Sequence, residues 1–155
     1  MSPPAPSNPL DETRQKIMER VNADPFLQNI NCLLDEKGDL DAKVEAQLAK
    51  LGLALIFEIE KGTPSFPAAG AFKIELKASF TVLENVLINR DPQNASASGK
   101  FASDVICRLY EVFHPMKPQN PLHLGDWNLI SDVSSVVNYN VEGIAYVRWT
   151  PKKEE

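Results

Sequence analysis

The chain has 155 residues, of which 43% are hydrophobic and 24% charged. That is enough length and apolar content for one domain with its own core, and it excludes a chain disordered throughout. The net charge of −5 opposes binding to a phosphate backbone, and the densest basic run, Lys152-Lys153, is cancelled at once by Glu154-Glu155, so no nucleic-acid partner is expected.

No apolar run approaches the ~20 residues of a membrane span, and Met1 is followed by Ser-Pro-Pro-Ala-Pro rather than an apolar signal region. With only Cys32 and Cys107, the expectation is a cytoplasmic protein with free thiols and no membrane partner. Asn94-Ala95-Ser96 matches a glycosylation acceptor, a chance match in that setting.

Residues 1–9 hold four prolines, Pro3, Pro4, Pro6 and Pro9, and read as a mobile, Pro-rich arm outside the helix. A helix is predicted to open at Leu10 or Asp11, with Ile17, Met18 and Val21 on one face, and to stop at Asp24-Pro25. Residues 26–34 read as a short strand, and 35–39 as a turn. Asp39 or Asp41 should cap a second helix, with Val44, Leu48 and Leu51 in its stripe and Gly52 at its C-terminus.

Strand signal follows at 53–60, then a flexible Gly- and Pro-containing connection over 62–70. From Phe72 to Ile88 apolar residues occupy the even positions, interrupted only by Glu84. Such a strand, 72–89, would span on the order of 55 Å, so it must bend, bulge or project. From Leu83 onward both faces are apolar, which suggests burial on both sides. A polar loop over 91–99 and a third helix over 100–113 come next, the helix striped by Phe101, Val105, Leu109, Val112 and Phe113. His114-Pro115 ends it. Residues 126–149 read as two strands, with the turn at Ser134-Ser135 or at 138–140 and a bulge at Gly143. Residues 150–155 form a charged tail. Helices and strands are segregated, which predicts an α+β domain over 10–149: an antiparallel sheet with a long hairpin and helices packed on one face.

No constellation in this order carries chemistry. Gly99-Lys100 lacks a phosphate loop's first glycine, since residue 94 is Asn, and Phe101 stands where Ser or Thr is needed. His114, His123, Cys32 and Cys107 show no metal-ligand spacing. Cys107 lies beside the apolar stripe of its helix, which reads as packing, and the acidic neighbours Asp104 and Glu111 oppose a reactive thiolate. Glu58, Glu60, Glu75 and Glu84 read as charges on a solvated strand face. Trp127 and Trp149 read as core or interface anchors. No catalytic residue, cofactor or metal is expected.

The succession Glu84-Asn85-Val86-Leu87-Ile88-Asn89-Arg90, a polar loop with Gly99-Lys100, an amphipathic helix Phe101–Phe113, a His-Pro linker and a closing strand pair ending Tyr-Val-Arg-Trp resembles small phage tail proteins of the tail-terminator and minor-tail group. The resemblance covers about residues 10–149. It implies a structural, non-enzymatic protein that forms rings, typically hexamers, and joins the end of a tail tube. Its partners would be copies of itself and a tube or neighbouring tail protein, and its place the cytoplasm during assembly and then the virion tail. The over-long strand suits a sheet completed by neighbours and points to Leu83, Asn85, Leu87, Asn89 and Arg90 as the assembly interface. Two other classes stay open: a monomeric binding module that reads peptides by strand addition at a sheet edge, and an enzyme with a dispersed site, for which a pocket containing both histidines would speak.

Overall fold

The computed structural model describes residues 8–34, 38–66 and 70–151; the Pro-rich arm and the charged tail predicted from the sequence fall almost wholly outside them. Helix α1 (Pro9–Ala23) begins one residue earlier than expected, and Pro9 belongs to it. A proline in the first helical position forfeits no hydrogen bond, because that N–H has no partner within the helix. The Asn8 side chain accepts from the Asp11 N–H at 2.8 Å, and Asp11 and Glu12 suit the positive end of the helix dipole. The helix ends at Asp24, whose carboxylate accepts from the N–H groups of Phe26 and Leu27.

The strand expected at 26–34 shrinks to β1 (Leu33–Leu34), preceded by a single 3-10 turn (Gln28–Ile30). The apolar residues of that stretch serve the core instead, Leu27 and Ile30 being buried beneath the turn. Helix α2 (Leu40–Leu51) then leads back to β2 (Leu53–Ser65), which pairs parallel with β1. Gly52 ends α2 in the left-handed region, at φ +72. A Cβ there would also lie 2.4 Å from the Asn89 backbone nitrogen, so two separate constraints require glycine.

β2 and β3 (Phe72–Asn85) form the predicted antiparallel hairpin, but its ladder runs further than expected, to Ser65 opposite Lys73. Part of the predicted flexible connection is therefore strand, and 67–69 lie outside the described residues. Pro64 is tolerated because it lies far along β2 from the residues that β1 covers, Ile56 and Phe57, so the parallel pairing asks no N–H of it. At the other end β3 stops at Asn85. Its side chain accepts from the Ile88 N–H and caps the one-turn helix α3 (Val86–Asn89), so the final four residues of the predicted strand are helical.

Helix α4 (Ala102–Val112) precedes the closing hairpin of β4 (His123–Val133) and β5 (Val136–Trp149). Its turn is at Ser134-Ser135, both with positive φ, as two-residue hairpin turns require. The bulge expected at Gly143 belongs to the facing strand: β4 carries an extra residue at Gly125–Asp126 and another at Ile130. Gly143 is small for a packing reason, since a Cβ there would sit 2.9 Å from Leu122 Cδ1.

The five-stranded sheet has the order β1-β2-β3-β5-β4, antiparallel apart from β1-β2. This is the α+β architecture the pattern predicts. The alternation places Leu55, Phe57, Ala78, Phe80, Val82, Val141 and Ala145 against α1 and α4. Phe80 is the centre, 5.0 Å from the Phe57 ring and 5.7 Å from that of Phe113. Ala54 and Ile56 point the other way and are buried too, at the end of β2 beside α2. The polar loop 91–99 is pinned rather than loose. Ser98 donates its N–H to the Leu51 carbonyl, and the Asn94 side chain donates to that of Ile88.

Candidate assembly surface

The one interruption of the β3 alternation, Glu84, faces the core and is 2% exposed. It is fully engaged. Oε1 accepts from the Ala102 N–H at 2.9 Å, and Oε2 accepts from Asn89 Nδ2 at 3.0 Å and Arg90 Nε at 3.1 Å. Phe101, at the N-cap of α4, has no side-chain oxygen to offer, so a carboxylate from the strand below meets the first N–H and the positive end of the helix dipole. Asn89 is buried and also donates to the Lys100 carbonyl, while its Oδ1 accepts from Ser98. Arg90 lies over the Phe101 ring at 4.0 Å.

The residues expected at an assembly interface therefore play different parts. Asn85 caps α3, Asn89 and Arg90 hold the corner between α3 and α4, and Leu83 is half-buried. Leu87 projects furthest, 71% exposed. Behind it, Val86 donates its N–H to the carbonyl of Ser135 in the turn of the closing hairpin, so α3 and that turn are one rigid corner.

Beyond this corner lies an apolar surface that periodicity did not single out. β4 is an edge strand exposed along nearly its whole length. Trp127 is 52% exposed, Leu129 55%, Ile130 58% and Val133 64%. Trp127 and Leu129 stand opposite Val141 and Tyr139, hence on the helix-covered face, past the reach of the helices, with the Trp127 and Tyr139 rings edge-on at 5.8 Å. The sequence signal was present in Trp127 and the Leu129-Ile130 pair. What it lacked was the knowledge that β4 is last in the sheet.

Two other regions bear on chemistry. A groove of about 460 Å³ crosses the open sheet face, with Lys61, Lys77, Glu75, His123 and Tyr146 on its walls; His114 is not among its lining residues. Lys77 of the groove approaches Glu60 at 3.9 Å, and Lys73, beside it, lies over the Tyr146 ring. The bulge at its rim is fixed from the core side, where Tyr110 donates its hydroxyl to the Gly125 carbonyl at 2.6 Å. Burial first, then Asp126, holds the Tyr110 proton on.

Cys32 is buried, which pushes its thiol up to about 12. Cys107 is exposed rather than packed, because it falls on the outer side of α4. Among the described residues no three His, Cys, Asp or Glu side chains gather closely enough for a metal ion, and no helix is long and apolar enough to cross a membrane. No known protein family matches the chain, and no curated protein matches it either.

Proposed function

We propose that this protein is a structural component of the phage-tail type, which assembles with copies of itself into a ring and seats on the end of a tail tube. The observation that carries the reading is the set of exposed apolar side chains on the edge strand β4, with Trp127 and Leu129 on the helix-covered side, Val133 on the other and Ile130 at a bulge, together with exposed Leu87 on the α3 corner. Soluble proteins seldom leave this many large apolar side chains along one edge strand in water unless another protein covers them. Trp127 among them is of the residue type that most often anchors an interface. The resemblance in element order supplies the kind of partner.

The unpaired edge of β4 also invites peptide binding by strand addition. The bulges at Gly125–Asp126 and Ile130 oppose it, since each breaks the run of evenly spaced donors and acceptors that an added strand requires. The apolar face is thus a better contact than the edge.

The test is to mix the protein with the tube protein encoded beside it and image the product. Rings at tube ends, lost with Leu129→Asp, are the expected result. Tubes of normal length that never carry this protein would remove the tail reading and leave a binding module in front.

A further inference from the structure

The two ends of the sheet carry apolar side chains in settings of opposite charge. At one end, Trp127 and Leu129 of β4 are exposed on the helix-covered side. β4 holds no lysine or arginine; its charges are carboxylates, Asp126 at the bulge and Asp132 opposite Val137, both exposed. At the other end, Phe72 and Trp149 face each other across β3 and β5 and stack, with ring centroids 5.1 Å apart and 19° between planes. Phe66, 68% exposed, meets the Phe72 ring edge-on at 5.4 Å. In the next row of the ladder Lys73 stands directly opposite Arg148.

That row is unfavourable in the single chain, because like charges directly opposite one another across two strands repel. Lys73 leans onto the Tyr146 ring at 4.9 Å, and neither cation closes a salt bridge among the described residues. Asp126 and Asp132 close none there either. Each end thus displays the charge that the other lacks.

We propose that β4 of one copy lies across the aromatic end of the next, with Asp126 and Asp132 against Lys73 and Arg148. Trp127 and Leu129 then cover the Phe66, Phe72 and Trp149 rings. The inference rests on the self-assembly proposed above and names the two surfaces that meet. Charge selects this pairing over a two-fold dimer through β4, which would set carboxylates against carboxylates. Position agrees. From Val141, opposite Trp127, to Trp149 is about 26 Å along β5 at about 3.3 Å per residue, so a single copy cannot join its own two ends. Unlike surfaces at opposite ends make a head-to-tail contact, which closes into a ring when the rotation between copies completes a turn.

The test is sedimentation velocity over a rising concentration series with two charge-reversed proteins, Asp126→Lys with Asp132→Lys and Lys73→Glu with Arg148→Glu. Both should keep the wild-type melting temperature; Arg148→Glu alone replaces the second pair should half-buried Lys73 prove necessary for folding. Wild type is expected to self-associate, and each reversed protein alone to do so at least about tenfold more weakly. Their equimolar mixture should recover wild-type association, because the reversed β4 of one then meets the reversed aromatic end of the other. A mixture no better than its components, or a wild type that stays a monomer throughout, overturns the proposal. Rings on tube ends without recovery in the mixture would discard this contact and keep the tail reading. Recovery in solution with bare tube ends would keep the contact and discard the tail reading.

Discussion

The corner around Glu84 and the free surface of β4 invert one another. They lie in the same part of the sheet, Glu84 in the row that runs through Val137 to Asp132 and Val133 in the row beside it. On β3 a carboxylate is buried; on β4 apolar side chains stand in water. The buried carboxylate meets three donors, so its desolvation is offset and it fixes how α3 and α4 leave the sheet. The exposed apolar residues of β4 have no helix over them among the described residues. A local rule broken with compensation marks a structural device, and one broken without it is where the proposed partner would sit. Substitutions at Glu84 and Leu87 separate the two cases, and Phe80 and Asp24 test the core and the helix pairing on which both depend.

Phe80→Asp should have the largest effect. The ring is fully buried between Phe57 and Phe113, and no donor is placed to receive a carboxylate. Removing such a ring alone costs about 3–5 kcal/mol, and a buried unpaired charge adds to that. The expected outcome is a chain with no cooperative thermal transition. A folded variant would mean that the core centre is misplaced.

Glu84→Ala should come next. It strands the Ala102 N–H and a buried Asn89 amide, each costing about 1–3 kcal/mol when left unsatisfied. Chemical denaturation should show a loss of about 2–4 kcal/mol with the slope unchanged. Loss below about 0.5 kcal/mol would show that water replaces the carboxylate easily and that the corner is not rigid.

Asp24 offers a milder test through pH. Its hydrogen bonds from Arg108 hold its carboxyl below the usual carboxylate range, chiefly against burial. A folded value below the unfolded one contributes stability that is present above the unfolded value, near 4, and lost as pH falls through the folded value. Arg108 is more than a third exposed, so the pair is screened, and Asp24→Ala should cost about 1–2 kcal/mol at neutral pH. The difference between wild type and Asp24→Ala should shrink below pH 4. A difference that stays constant into acid would show that the ionised form of Asp24 adds no stability and that the loss comes from packing alone.

The contrast also accounts for what was legible in the sequence. Alternation through Phe72, Ile74, Leu76, Ala78, Phe80 and Val82 located the core face of β3, because a strand buried on one side imprints a period of two. Gly52 announced a helix end, because few other residues accept φ +72. Val86 and Ile88 extended the period by coincidence, and only the Asn85 cap, a local side-chain hydrogen bond, shows where strand gives way to helix. Glu84 read as a solvated charge because its partners, Ala102 and Asn89, are set by the tertiary fold. For the same reason the β4 surface was hidden: its residues look like any half-buried strand until the strand order leaves them at the edge.

Leu87→Asp should have the smallest effect on the isolated chain and the most informative one. The side chain is 71% exposed, while the α3 backbone is held by Asn85 and by Ser135. A charge there buries nothing in the monomer, so stability should change by less than about 0.5 kcal/mol. At an assembled interface the same carboxylate would be desolvated without a partner, a cost of several kcal/mol and so a thousandfold or so in affinity at about 1.4 kcal/mol per decade. The expected pair of results is an unchanged melting temperature with no rings on tube ends. Unfolding would mean that Leu87 packs against its own chain. A stable variant that still forms rings would place the contact on β4 alone, and Leu129→Asp would then separate the two halves of the surface.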